Sequence, residues 1–236
     1  ANAFVHQFKQ DSRQGYSQGF YDLLKKIRDG RDLLRLVEPH SDKCGGAMRA
    51  VPLGLLSDTR SIIDLAMWQA SLTHATRDGM TAAAAAALLV YACRHGTEID
   101  LIPSWLDYYL PGFKWEEVWA PHMEVSTLGL EVVHAALYAI VDSPPSMSAI
   151  LQHSVDYTGD VDTVAAIACA AASLHPGIAQ DLPQCLLDGL ENGPYGRDYL
   201  AGVDKRLLAG FPLQKNELQL SLADVLLVCC GFLPVL

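Results

Sequence analysis

Apolar residues recur at intervals of three and four along most of the chain, which is the spacing of one face of an α-helix. Between residues 17 and 28, for example, Phe20, Leu23, Leu24 and Ile27 would share one face. No segment shows the sustained alternation of apolar and polar residues that is typical of strands. The pattern therefore predicts an all-α fold without a sheet, in which residues 1–236 form one compact domain of about nine to eleven helices.

Capping residues, glycines and prolines set the predicted limits of these helices. Asp58 and Ser146 are suited to cap helix N-termini, and Gly30 would end the first long helix. The stretch 102–121 is rich in Trp, Tyr and Pro and predicts a loop or short helices that cover the core. Helices are predicted over residues 17–28, 47–56, 59–72, 82–94, 126–141, 146–155, 162–174, 198–208 and 220–232.

Composition narrows the class of protein and its partners. The chain has 236 residues, of which 50% are hydrophobic, so a large core is possible. Its formal net charge is −10 and its longest basic run is Lys25-Lys26, which argues against a nucleic-acid partner. No apolar run approaches the roughly 20 residues of a membrane span, and no signal peptide is visible. The six cysteines form no Cys-x-x-Cys pair and predict buried free thiols in a cytoplasmic protein.

The segment 158–163, Thr-Gly-Asp-Val-Asp-Thr, places two carboxylates and a hydroxyl at the start of an apolar, alanine-rich helix. One interpretation is capping, in which Asp160 or Asp162 accepts a backbone N–H of the first turn. The other is a divalent cation site, because these hard oxygen donors suit Mg²⁺ or Ca²⁺ better than zinc. The spacing alone leaves both interpretations open.

Three further groups of residues are candidates for binding or catalysis. Residues 45–49, Gly-Gly-Ala-Met-Arg, run into a predicted helix, so their backbone N–H groups can approach a phosphate, although a simple turn uses the same residues. Thr73-His74 lies in a polar loop, where a lone histidine is equally consistent with a structural role. No Gly-x-Ser-x-Gly, P-loop or His-Glu-x-x-His pattern occurs, which argues against serine hydrolases, NTPases and zinc proteases. Candidate general bases are Asp78, Asp107, Glu116 and Glu117.

Taken in order, the segments 45–55, Thr73-His74 and 159–167 resemble the ADP-ribosylglycohydrolase family, and the resemblance extends from about residue 3 to residue 208. That family includes the dinitrogenase-reductase-activating enzymes, the metazoan ADP-ribosylhydrolases and crystallins derived from them. The resemblance implies an all-α domain with a pair of Mg²⁺ ions in a central cleft. It also implies cleavage of the bond between the anomeric ribose carbon and a modified side chain.

The resemblance assigns roles to individual residues of this chain. Asp160, Asp162 and Thr163 match the family's metal-binding turn, and the two aspartates are the implied catalytic carboxylates. The implied cofactor is Mg²⁺, and the implied partner is an ADP-ribosylated protein or a small molecule that contains ADP-ribose. The residues implied to border the ADP-ribose site are Gly45, Gly46, Ala47, Met48 and His74.

One part of the family pattern has no match in this sequence. The family carries an upstream Thr-Asp-Asp-Thr motif and an upstream glutamate, so we expect this chain to lack the family's N-terminal portion. Two hypotheses follow. The chain is either a Mg²⁺-dependent ADP-ribosylglycohydrolase or a non-catalytic relative that binds ADP-ribose or has a structural role, as the crystallins do.

Overall fold

The structure is a computed structural model that describes residues 1–13, 15–117 and 124–210. Twelve α-helices make up most of this described chain, which confirms the predicted all-α class. Short 3-10 helices follow α4 (Val51–Leu55) and precede α7 (Ile99–Leu101). The α-helices are α1 (Asn2–Gln10), α2 (Gln18–Lys26), α3 (Gly30–Leu36), α4 (Gly45–Met48), α5 (Thr59–Ser71), α6 (Arg77–Arg94), α7 (Ile102–Tyr109), α8 (Gly129–Val141), α9 (Met147–Asp156), α10 (Val161–Ala172), α11 (Gln184–Asp188) and α12 (Arg197–Gly210).

Helix α6 lies at the centre of the main hydrophobic core. All residues from Thr81 to Val90 are buried, and so are Ala92 and Cys93. A helix that is apolar on every side is expected to be enclosed on every side. Residues 82–87 are all alanine, so neighbouring helices can approach the α6 backbone closely. Helices α4, α5, α8 and α10 all pack against it.

Helices α1, α2 and α3 form a second, smaller core. The rings of Phe4 and Phe20 meet edge to face at a centroid distance of 5.7 Å, and those of Phe8 and Tyr21 at 5.5 Å. Such pairs add a modest stabilisation to that of apolar burial. The apolar side chains buried in this second core are Phe4, Val5, Phe8, Leu24, Ile27 and Leu33.

A two-stranded parallel sheet is present that the sequence pattern does not predict. Strand β1 (Glu124–Val125) pairs with β2 (Thr158–Gly159), and Glu124 lies opposite Thr158. The expectation of a fold without a sheet is therefore wrong at this point. Each strand has only two residues, so no alternating pattern exists from which it could be recognised.

Two of the predicted helix caps are confirmed. At the start of α5, the side chain of Asp58 accepts the backbone N–H of Ser61 at 2.8 Å. At the start of α9, the hydroxyl of Ser146 accepts the N–H of Ala149 at 3.2 Å. The prediction for Gly30 is wrong, because this glycine begins α3.

Two other helices differ from their predicted limits, and one prediction is not covered. Helix α6 begins at Arg77, within the predicted polar loop, because the Thr76 hydroxyl accepts the N–H of Gly79 at 3.0 Å. The helix predicted over 47–56 divides into α4 and a 3-10 turn that contains Pro52. Proline lacks the N–H that a continuous α-helix would use. The helix predicted over 220–232 lies outside the described residues.

Within the described ranges, no helix has the length and apolar character needed to cross a membrane. The four cysteines of these ranges are free thiols, as predicted. Full burial, however, holds for Cys93 alone among them, since Cys44 and Cys169 are half-buried and Cys185 is exposed.

Gly54, in the 3-10 turn after α4, allows the closest backbone approach to α6. A Cβ atom at this position would collide with the carbonyl oxygen of Ala87 and would lie 2.6 Å from Cβ of Val90. We therefore expect Gly54→Ala to lower the free energy of unfolding by about 1–3 kcal/mol, measured by urea denaturation.

Gly19 of α2 provides a matched control for this substitution. A Cβ atom on Gly19 would have no neighbour within 4 Å. Gly19→Ala should therefore raise the free energy of unfolding, by about 0.5–1 kcal/mol, because alanine favours a helix over glycine. Similar stabilities of the two variants would contradict the packing described here.

Candidate active site

The acidic turn is held in place by the small parallel sheet. The backbone N–H of Asp160 donates to the carbonyl oxygen of Val125 at 2.9 Å, directly after β2. Gly159 has a φ of +88°, and a Cβ atom there would collide with the same carbonyl oxygen. This backbone conformation and the close approach both require glycine. The pairing therefore fixes where the chain turns into α10 and where Asp160 projects.

The carboxylate of Asp160 does not cap α10. Asp160 occupies the N-cap position, but its side chain accepts no backbone N–H there. Its Oδ1 atom instead accepts a hydrogen bond from the Thr163 hydroxyl at 2.8 Å. Its Oδ2 atom is buried and has no hydrogen-bond partner in the structure. The capping interpretation is therefore wrong for Asp160, and one carboxylate oxygen is left uncommitted.

The surroundings of Asp160 disfavour its charged form. Burial raises the pKa of this carboxyl, and the neighbouring Asp162 raises it further, whereas the nearby Cys44 thiol and the hydrogen bond from Thr163 act in the opposite direction. Asp162 itself is exposed on the first turn of α10, whereas Thr163 is buried. Asp160 and Asp162 are only two positions apart, and two neighbouring carboxylates repel each other unless a proton or a cation is bound there.

Cys44 belongs to the same cluster, although no sequence motif points to it. Its Sγ atom lies 3.9 Å from Oγ1 of Thr163. Burial and the nearby Asp160 raise the pKa of the Cys44 thiol to about 12. The side chain therefore stays protonated near neutral pH and acts as a weak hydrogen-bond donor.

The two glycines of α4 make room for the ring of His74. A Cβ atom on Gly45 would lie 3.4 Å from Cε1 of His74, and one on Gly46 would lie 3.3 Å from its Cγ. The structure thus gives a packing reason for these glycines besides the approach of backbone to a phosphate. The imidazole is buried, and this burial together with the Arg49 charge lowers the pKa of His74 to about 3. His74 is therefore neutral near neutral pH.

Arg49 links α4 to the end of α5. Its guanidinium donates to the carbonyl oxygen of Gly45 at 2.8 Å, to Oε1 of Gln69 at 3.0 Å and to the hydroxyl of Thr73 at 2.8 Å. The planar guanidinium can hold several acceptors at fixed positions at once. The Arg49 side chain therefore fixes the position of Thr73 relative to α4.

These groups border one cavity of about 820 Å³. Asp160, Asp162 and Thr163 line it at the start of α10, Gly45 lines it at the start of α4, and His74 lines it after the end of α5. A further wall, the N-terminal wall, is formed by α2 and the residues before it and carries the rings of Tyr16 and Phe20. Other residues that line the cavity are Tyr16, Phe20, Glu38, Lys43, Met48 and Thr73.

The cavity brings together most, but not all, of the site residues predicted from the sequence. Gly45, Met48, His74 and the acidic turn line it, whereas Ala47 and Gly46 are buried behind it. Conversely, Cys44 and Glu38 line the cavity although the sequence does not identify them, and so does Thr73, to which the sequence assigns no separate role within the Thr73-His74 segment. Thr73 and Cys44 adjoin selected motifs in sequence, which is the only signal that could have identified them.

The other candidate general bases lie elsewhere. Asp107 accepts the backbone N–H groups of Trp115 at 3.2 Å and Glu116 at 3.3 Å, which gives it a structural role. Glu117 pairs with Lys114 at 2.7 Å. Asp78 is exposed in the first turn of α6. None of these carboxylates lines the cavity.

The acidic turn has the donor chemistry of a Mg²⁺ site, although it is not a complete cage. Within the described part of the chain, no three His, Cys, Asp or Glu side chains cluster closely enough to hold a metal ion by themselves. Mg²⁺, however, commonly uses one or two carboxylates and keeps several water molecules. The uncommitted Oδ2 of Asp160, the exposed Asp162 and the Thr163 hydroxyl fit that mode of binding.

Comparison with known proteins agrees with the sequence resemblance. The model of the family described as ADP-ribosylglycohydrolase matches residues 1–217, so the chain belongs to that family. A search of curated proteins finds no match.

Among solved structures, the chain resembles one titled "ADP-ribosylglycohydrolase-related protein complex", with a TM-score of 0.64 and 17% sequence identity. The match covers 97% of this chain and 72% of that one. At this level of identity the likeness shows a shared fold. It agrees with the helical architecture described above.

The buried carboxyl of Asp160 predicts an unusual effect on stability. Since burial raises its pKa, the folded chain binds a proton more readily than the unfolded chain, in which the pKa is about 3.9. The carboxyl therefore lowers stability as the pH rises from about 3.9 through the folded pKa. We expect Asp160→Asn to raise the free energy of unfolding at pH 7 in EDTA and to remove that part of the pH dependence.

Asp58→Ala is the control, because Asp58 is a true cap, and its loss should lower the free energy of unfolding by about 1 kcal/mol. Urea denaturation at pH 4 and pH 7 measures both effects. A loss of stability on Asp160→Asn that resembles the loss on Asp58→Ala would contradict the geometry of this turn.

Proposed function

We propose that this chain is a Mg²⁺-dependent hydrolase that removes ADP-ribose from a modified protein side chain or a small acceptor. The observation that carries the proposal is the Oδ2 atom of Asp160, which is buried without a hydrogen-bond partner in a residue that lines a large cavity. A desolvated, uncommitted carboxylate oxygen lowers stability, and such groups concentrate at functional sites. Membership of the ADP-ribosylglycohydrolase family supports the type of reaction.

Asp160, Asp162 and Thr163 are the residues of this chain that would hold Mg²⁺. When bound, Mg²⁺ supplies positive charge that orients ribose hydroxyls and makes a water molecule more acidic. The carboxylates of Asp160 and Asp162 place negative charge at the same wall of the cavity. This charge would stabilise the positive charge that develops on the ribose ring as the acceptor departs.

Other parts of the cavity suit the remaining groups of ADP-ribose. Lys43 is a cation on the cavity wall, and its Nζ atom donates to the Thr127 hydroxyl at 2.7 Å. It would offset the repulsion between diphosphate and a chain of net charge −10. Tyr16 and Phe20 are partly exposed rings on the N-terminal wall, which would pack against the face of a nucleobase.

The second candidate function is binding of ADP-ribose without hydrolysis. One observation favours it: in the described ranges the acidic turn has no third carboxylate, histidine or cysteine placed to complete a metal cage. A site with few protein ligands would hold Mg²⁺ weakly and would position the attacking water poorly. A cytoplasmic location stays a prediction under both functions.

The metal assignment predicts the result of a calorimetric titration. We expect Asp160→Ala and Asp162→Ala each to abolish the heat of Mg²⁺ binding, because each removes one of two carboxylates at the turn. Asp64→Asn is the control, since this carboxylate is exposed on α5 and lies outside the cavity. Unchanged isotherms for the two turn variants would remove the metal assignment.

The two candidate functions are distinguished by measuring the release of ADP-ribose from a modified protein together with the binding of free ADP-ribose. We expect release of free ADP-ribose from an ADP-ribosylated protein to require Mg²⁺ and to fall by at least about 100-fold in Asp162→Ala, because a positioned charge is lost at the reacting bond. ADP-ribose that binds in calorimetry without any release from the modified protein would select the second function.

A further inference from the structure

The side chains of Arg49, Thr73 and His74 are linked by hydrogen bonds and are buried beside the cavity. Arg49, Thr73 and His74 are only 5%, 6% and 7% exposed, respectively. The guanidinium of Arg49 donates to Oγ1 of Thr73 at 2.8 Å, and Oγ1 of Thr73 lies 2.6 Å from Nδ1 of His74. Both distances are those of well-formed hydrogen bonds.

The position of the protons in this chain follows from the chemistry of its members. A guanidinium only donates hydrogen bonds, so Thr73 must be the acceptor in its contact with Arg49. The one hydroxyl proton of Thr73 can then be given to Nδ1 of His74. If Nδ1 carried a proton instead, Thr73 would accept from both neighbours, and its buried hydroxyl proton would have no acceptor among the contacts described. Such an unsatisfied buried donor is unfavourable.

The other ring nitrogen lies where a ligand can reach it. The Nε2 atom of His74 is 3.5 Å from the position of a Cβ atom on Gly45, and both residues line the cavity. It makes no hydrogen bond to any described residue, whereas Nδ1 is occupied by Thr73. Gly45 and Gly46 pack against the ring and hold its plane.

We propose that Thr73 is a positioning residue that holds His74 in the neutral tautomer with its proton on Nε2. In this tautomer the imidazole presents an N–H donor to the cavity, and its ligand would be an acceptor group such as a phosphate or ribose oxygen. Which ligand oxygen accepts the hydrogen bond from Nε2 rests on the proposed function, whereas the tautomer of His74 does not. Arg49 acts through Thr73, because its guanidinium can only donate to Oγ1 and therefore leaves Nδ1 of His74 as the acceptor of the hydroxyl proton.

The position of the proton can be measured directly by nitrogen NMR. In protein labelled with ¹⁵N-histidine, long-range ¹H–¹⁵N correlation spectra distinguish the two neutral tautomers, and a His74→Asn variant identifies the signals of His74. We expect the unmodified chain to carry the proton on Nε2 at neutral pH. A proton on Nδ1, or a charged ring, would overturn the proposal without the need for any variant of Thr73.

Two substitutions then test whether Thr73 is the cause. Thr73→Ser keeps the hydroxyl and should keep the Nε2 tautomer, whereas Thr73→Val keeps the shape, removes the hydroxyl and should give a mixture of tautomers. Thr73→Ala serves the same purpose if the valine variant does not fold. An unchanged tautomer in folded Thr73→Val or Thr73→Ala would overturn the proposal.

Ligand binding provides a separate readout. We expect Thr73→Val to weaken ADP-ribose binding by about tenfold and Thr73→Ser to change it by less than about twofold, measured by calorimetry. Equal affinities of all three proteins would overturn the role of the tautomer in recognition. If the unmodified chain binds no ADP-ribose, the proposed function fails, while the NMR measurement still decides the role of Thr73.

Discussion

The close approach of four helices to α6 is the constraint on which the rest of the structure depends. Because residues 82–87 are all alanine, α4, α5, α8 and α10 can pack closely against this helix. Three of these helices carry the site: α4 begins at Gly45, α5 leads into Thr73 and His74, and α10 follows Asp160. Their packing on one central helix brings together segments that lie far apart in the chain. The cavity is therefore a consequence of helix packing.

The site combines groups that are unfavourable for stability with a scaffold that holds them rigidly. Asp160 keeps one oxygen desolvated and unpaired, close to a second carboxylate. Gly159 and the carbonyl of Val125 fix the backbone of the turn, and the carboxylate of Asp160 does not cap α10. Binding of a diphosphate by a chain of net charge −10 would need compensating positive charge, of which Lys43 would supply a part. A cation bound at the acidic turn would relieve both repulsions at once, which links the metal to the ligand.

The sequence predicts local features well and long-range contacts poorly. Periodicity and capping identify the helices that begin after Asp58 and Ser146, because both signals are confined to a few neighbouring residues. The two-residue strands are too short to show a pattern, and the contact between Cys44 and Thr163 joins residues 119 positions apart. The glycines at 45 and 46 illustrate the same limit. Their presence indicates close packing, but only the fold shows that the ring of His74 packs against them.

The central claim is that a divalent cation binds at Asp160, a residue that lines the cavity and whose buried Oδ2 atom has no hydrogen-bond partner. Crystals grown with Mn²⁺, which replaces Mg²⁺ at oxygen sites, test this most directly through the anomalous scattering of the metal. We expect an anomalous peak within about 2.0–2.3 Å of a carboxylate oxygen of Asp160, with Asp162 or Thr163 as a further ligand of the metal. A fully occupied Mn²⁺ site elsewhere on the chain, with Asp160 turned back to cap α10, would contradict it.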